Sequence, residues 1–137
     1  MTDQATNDGR VVVDHDSVLM QVSNEMVRLY KTQFGRGPTK ARTNWAGPDT
    51  LISTLENSLT PAERNMVAMG EHQRLRDTRT FIQYAIEERF CEIVERLTGR
   101  EVRAFVSGID TAKDVSSEVF YLKPRTDGLQ VVREPGE

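Results

Sequence analysis

The feature that most limits the fold is a helix signal with a sharp beginning and no clear end. Thr60, Pro61, Ala62 and Glu63 read as an N-cap, a proline at the first helical position and a capping-box carboxylate at the third. No firm stop follows until Thr98 and Gly99. At roughly 1.5 Å per residue a continuous helix over that span is about 57 Å long. That exceeds the width of a folded chain of 137 residues. Two resolutions are open. The helix breaks at Gly70 and the polar run Glu71, His72, Gln73 and Arg74, or it runs past its own core and packs on a second copy. Leu75, Ile82, Ile86, Phe90, Ile93 and Leu97 recur at steps of threes, fours and sevens. Such a stripe favours the second resolution and marks an expected homodimer interface.

The remaining elements follow from shorter patterns. From Asp16 to Phe34, the residues Leu19, Val22, Met26, Leu29 or Tyr30, and Phe34 share one helical face, with Asp14, Asp16 or Ser17 as candidate N-caps. Gly35 is placed to end this helix in a left-handed conformation, and Gly37 with Pro38 prevents a restart. Residues 39–45 and 51–55 are β-prone and flank the turn cluster Ala46, Gly47, Pro48 and Asp49. Residues 101–107 and 115–122 repeat that pattern around Gly108, Asp110, Thr111, Lys113 and Asp114, and Pro124 ends the last strand. The expected fold is α+β: helix, β-hairpin, long helix, β-hairpin, with a four-stranded, mainly antiparallel sheet packed on helices. The second sheet face meets either water or another subunit. Residues 14–124 form the single expected domain, between flexible tails at 1–13 and 125–137, where Val131 and Val132 offer a short edge contact.

The element order suggests an internal repeat of 16–56 and 79–123. Phe34, Gly35 and Arg36 match Thr98, Gly99 and Arg100, while Gly47 to Thr50 match Gly108 to Thr111. Glycines at helix ends and aspartates in turns also match by local physics, so the order of elements carries the fold whether or not the halves share ancestry.

Composition then excludes several functions. Apolar residues make up 37% and charged residues 28%, with a mean hydropathy of -0.53, which supports a modest core. No run of 18 apolar residues occurs, and MTDQATNDGR lacks the cationic and apolar parts of a secretion signal. A cytoplasmic location without direct membrane insertion is expected. Cys91, His15 and His72 are too few for a Cys/His zinc site, so neither a metal nor a cofactor is expected. A net charge of -3 argues against a general nucleic-acid binder.

The ionisable residues offer no reaction-specific motif, and an enzyme is not expected. The loop Gly35, Arg36, Gly37 and Pro38 can place a guanidinium over an anion, but it follows a helix C-terminus, where the dipole disfavours anions and Arg36 compensates exposed carbonyls. The loop also lacks the lysine and hydroxyl of a phosphate cradle. Arg42 and Arg103 lie in strands among apolar neighbours, where an inward-facing arginine requires a carboxylate partner. Asp49 and Asp110 fit turn positions, bonding nearby backbone amides. Arg74, Arg76 and Arg79 read as a solvated cationic run. Cys91, among Glu87, Glu88 and Glu92, is expected to have a raised thiol pKa and low reactivity. Phe105, Phe120 and Tyr121 read as sheet core.

Four strings, in order, carry a resemblance: FGRGPTKARTNW after the first helix, SLTPAE opening the second, RLTGREVRAF entering the third strand, and FVSGIDTAKDVSSEVFYLKP closing the domain. Over Val18 to Pro124 the chain resembles the MpsC-like family of bacteria, associated with sodium-translocating, membrane-potential-generating systems. The resemblance implies a small accessory component of a cation or bicarbonate transport system, with Gly35, Arg36, Gly37, Pro38 and Arg42 at the family's characteristic positions. It implies no catalytic set. The segment MGEHQRLRDTRTF is more polar than the family pattern. The expected function is therefore a noncatalytic interaction module, dimeric and peripheral to a membrane transport complex. The alternative is a small-molecule or anion sensor, with Arg36, Arg42 and Asp49 lining one pocket, or Arg100, Arg103 and Asp110 its counterpart.

Overall fold

The computed structural model describes residues 10–125, with side chains from Ser17 onward. Helix α1 spans Arg10–Phe34. It begins ahead of the expected start at Asp16, so Asp14, Asp16 and Ser17 lie inside it and none is its N-cap. The expected N-terminal tail overlaps the helix from Arg10; the remainder of that tail and residues 126–137, with Val131 and Val132, lie outside the described residues. The stripe of α1 buries Val22, Met26, Leu29 and Tyr30, as its spacing predicts. Gly35 takes φ +82° and ends the helix. The antiparallel hairpin of β1 (Lys40–Trp45) and β2 (Thr50–Glu56) follows, pairing Lys40 with Glu56 and Trp45 with Leu51.

The span expected as one helix is three: α2 (Pro61–Ala68), α3 (His72–Ala85) and α4 (Glu87–Thr98). The capping box is present. Thr60 Oγ1 accepts from the Glu63 amide at 3.2 Å, and Glu63 Oε1 accepts from the Thr60 amide at 2.8 Å. Gly70, at φ +80°, makes the first break, in a backbone conformation that other residues rarely adopt. The second break falls at Ile86, with φ -110° and ψ 24°. Each break lets a short helix follow the surface of the core, so α2, α3 and α4 do not form one helix that overruns it.

Strands β3 (Val102–Asp110) and β4 (Val115–Leu122) complete a four-stranded antiparallel sheet in the order β1-β2-β4-β3. The two hairpins therefore meet through their second strands. The matching turn strings occupy different places: Gly47 to Asp49 precede β2, whereas Gly108 to Asp110 end β3. Helices α1 and α4 close the core over the sheet through Met26, Tyr30, Phe90 and Val94 against Leu51 and Phe120.

The stripe assigned to a second copy is largely used by the chain itself. Leu75, Phe90 and Ile93 are buried, Ile86 and Leu97 pack on the core, and Ile82 is half-buried. Breaking the helix turns these residues inward. The apolar side chains left outside are others: Phe81 at 74% exposure, Met69, Met20, Val106 and Tyr84.

Candidate functional site

Strand β4 alternates, so Ser116, Glu118, Phe120 and Leu122 all face the core. Three of these four are ordinary sheet-interior residues; Glu118 is a wholly buried acid. Its cross-strand partners are Ser53 on β2 and Ser107 on β3, and Ser53 in turn faces Thr43 on β1. A row of buried polar side chains therefore crosses the whole inner face of the sheet. Thr43 Oγ1 lies 2.9 Å from Ser53 Oγ and 2.7 Å from Ser23 Oγ on α1. Ser23 and Thr43 also line a groove of about 470 Å³ between α1 and β1, so the row reaches the surface there.

Two helices close over Glu118. The Tyr30 hydroxyl of α1 donates to its Oε2 at 2.5 Å, and the Gln83 amide of α3 donates to the same oxygen at 2.7 Å. Gln83 also donates to the Tyr30 oxygen at 3.1 Å. Glu118 Oε1, Gln83 Oε1 and the hydroxyls of Ser107 and Ser116 are buried and make no hydrogen bond of good geometry, although Ser107 stands near enough to Glu118 to favour its charged form. Burial pushes the Glu118 carboxyl up from 4.5 to about 7, against the pull of Ser107, Tyr30, Gln83 and the Arg79 charge. Burial, with the neighbouring Glu118, also raises the Tyr30 hydroxyl well above its ordinary value. The cluster thus gathers a buried carboxyl of raised pKa, an amide and hydroxyls in one place.

Arg79 forms the layer beside it. The guanidinium, expected on a solvated surface, is wholly buried. It donates from Nε and Nη2 to Glu63 at 2.8 and 2.7 Å and from Nη2 to the Ser58 carbonyl at 3.0 Å, and it lies 3.7 Å from the Phe34 ring centroid. A planar fork is suited to such simultaneous pairing and stacking. Burial raises the Glu63 carboxyl, but the hydrogen bonds from Arg79 and Thr60 and the Arg79 charge outweigh it and hold the group below its ordinary value.

The residues singled out in the sequence have mainly structural partners. Arg36 donates to the carbonyls of Asn57 and Leu59 at 2.9 and 3.2 Å, so it holds the loop after β2. Gly37 approaches α1 closely, and a Cβ there would stand 3.3 Å from the Val27 carbonyl. Pro38 and Arg42 line the α1–β1 groove, and Arg42 is exposed. Arg103 is exposed too, 5.6 Å from the Tyr121 ring centroid. Neither arginine faces the core or requires a buried carboxylate. Asp49 is paired across the halves with Arg100, at 2.6 Å. Arg100 also donates to the Pro48 and Lys123 carbonyls. Asp110 accepts from the Lys113 amide at 2.9 Å, the turn role expected of it. The two arginine-aspartate sets are therefore not gathered into two equivalent pockets.

Cys91 has its thiol pushed up to about 11 by burial and by the charges of Glu87 and Glu95, a direction anticipated from its acidic neighbours. His72 Nδ1 lies 3.0 Å from Thr111 Oγ1. Phe105 and Phe120 are core residues, whereas Tyr121 is on the opposite sheet face, half-buried. Among the described residues no three or more His, Cys, Asp or Glu side chains gather for a metal ion. The site missed in the sequence is Glu118; its signal was the alternation that puts it in register with Phe120 and Leu122.

The MpsC family model, described as Na+-translocating membrane potential-generating system (MpsC), matches residues 15–124. The chain belongs to the MpsC family. No curated protein and no solved structure matches it. The match takes in every strand and α2, α3 and α4, so the buried cluster of this MpsC-family chain lies wholly within the matched region. Among the described residues no helix is long and apolar enough to cross a membrane.

Proposed function

We propose that the protein is a noncatalytic accessory module of an Na+-translocating, membrane-potential-generating system, acting in the cytoplasm through a protein partner. The family match over residues 15–124 carries this reading. The ionisable residues of the loops support it, since Arg36, Arg100 and Asp110 are engaged with backbone groups or an ion pair. Removing the protein from its host and recording the Na+-dependent membrane potential with a voltage-sensitive dye tests the proposal. Loss of the Na+-dependent component, restored by returning the protein, is expected. An unchanged potential contradicts the reading.

Self-association belongs to the same proposal, at a different surface. Phe81 and Tyr84 lie one turn apart on α3, and the Tyr84 hydroxyl accepts from the amide of Ser107, next to exposed Val106. Phe81, Tyr84 and Val106 together supply the exposed apolar surface for a contact between copies here. Light scattering at micromolar concentration is expected to show a dimer that Phe81→Asp converts to a monomer. A monomeric parent chain rules this contact out.

A further inference from the structure

Helix α3 is attached to the domain in an unusual way. Its buried residues are Leu75, Arg79 and Gln83, so two of the three are polar. An element with so little apolar burial belongs to the low-stability end of a fold. Both of its ends are breaks in the helical path, at Gly70 and at Ile86. Its ties to the sheet are mainly polar or at the edge: Gln83 donates to Glu118 at 2.7 Å, His72 Nδ1 lies 3.0 Å from Thr111 Oγ1, and Tyr84 accepts from the Ser107 amide at 2.9 Å with its ring 5.7 Å from that of Phe105. The group this helix covers most directly is Glu118, through Gln83.

We propose that Glu118 is a proton-binding site whose occupancy decides whether α3 stays docked on the sheet. The groups around it come from every packed element. Tyr30 faces it from α1, Gln83 and the charge of Arg79 from α3, Ser53 from β2, Ser107 from β3 and Ser116 from its own strand. Phe90 of α4 contributes an apolar wall against Tyr30, at 6.1 Å between ring centroids. Arg79 is the one cation of the set, and its charge is matched by Glu63. Glu118, Gln83 and Tyr30 are all buried while α3 is down. Ionised Glu118 favours the state in which α3 has lifted and water reaches it. Protonated Glu118 favours the docked state. The carboxyl is held near neutrality when docked and returns to its ordinary range when hydrated, so the equilibrium responds to pH between those two values.

Hydrogen exchange of the full chain, read by mass spectrometry from pH 5 to pH 8 and corrected for chemical exchange, tests the proposal. Amides of α3 are expected to be less protected than those of β4 at every pH. Their protection is expected to fall about tenfold per pH unit between pH 5 and 6, and to level off above pH 7. Glu118→Gln is expected to remove most of that dependence, because its amide oxygen can accept from Tyr30 and Gln83 with no charge to hydrate. Equal protection of α3 and β4, or the same pH slope in Glu118→Gln, overturns the proposal. Should the variant not fold, carbon NMR of the Glu118 carboxyl in the parent chain decides: a midpoint near neutrality shared by α3 amide shifts supports the site, and a midpoint in the ordinary carboxylate range overturns it.

Discussion

Arg79 and Glu63 meet fork to fork, 2.8 Å from Nε and 2.7 Å from Nη2, with the guanidinium wholly buried between α3, the loop after β2 and the ring of Phe34. The same carboxylate caps α2 through the Thr60 amide. One residue pair thereby fastens the first two pieces of the interrupted helix to each other.

Glu63→Gln separates these roles, since glutamine keeps the cap and loses the charge. It leaves Arg79 buried without a counter-ion and is expected to cost about 3 kcal/mol in urea unfolding. Because Glu63 is held below its ordinary value when folded, its contribution is present above the ordinary carboxylate range and is lost as pH falls through the folded value. The parent and the variant should therefore converge in stability in acid.

Phe90 and Phe81 give a contrast on one stretch of sequence. Phe90 is fully buried among the core aromatics and Phe81 is mostly exposed. Phe90→Ala is expected to lose about 3–5 kcal/mol. Phe81→Ala is expected to change protomer stability by less than about 0.5 kcal/mol. Denaturant midpoints at low protein concentration check both.

Arg100 joins residues far apart in the chain, pairing with Asp49 and reaching the carbonyls of Pro48 and Lys123. Arg100→Ala is expected to cost about 1–2 kcal/mol through these lost charged hydrogen bonds. Asp110→Ala, which loses a bond within one exposed turn, should cost less. A similar cost for the two variants contradicts the structural weight placed on Arg100.

Much of the fold was legible because its signals are local. The α1 stripe of Val22, Met26 and Tyr30, the Thr60–Glu63 capping box and the full span of β4 all follow from spacing within a few residues. Gly70 carried its own mark as a break. Ile86 did not, since an isoleucine within an apolar stripe reads as helix, and packing of α4 on α1 and the sheet decides its conformation. The start of α1 at Arg10 likewise lacked the capping pattern that Asp14, Asp16 and Ser17 offered later. The candidate site was less legible. Arg100 and Asp49 are brought together only by the meeting of β2 and β4, and a cationic run gives no sign that Arg79 alone turns inward to Glu63. Glu118 could have been placed in the interior from its alternation with Phe120 and Leu122, but its partners Tyr30 and Gln83 lie on other elements.

The buried acid is the centre of the chemistry, and stability as a function of pH reads it directly. The folded value of Glu118 is raised from 4.5 to about 7, so its stabilising effect is full below the unfolded value and is lost as pH rises through the folded one. Urea unfolding of the parent chain and of Glu118→Gln, run in parallel from pH 5 to pH 8, cancels the titration of all other groups. The variant is expected to gain on the parent by on the order of 1 kcal/mol per pH unit up to neutrality and to hold a constant difference above it. Parallel curves across the whole range would show that Glu118 keeps its ordinary acidity in the folded protein and would contradict the buried proton site.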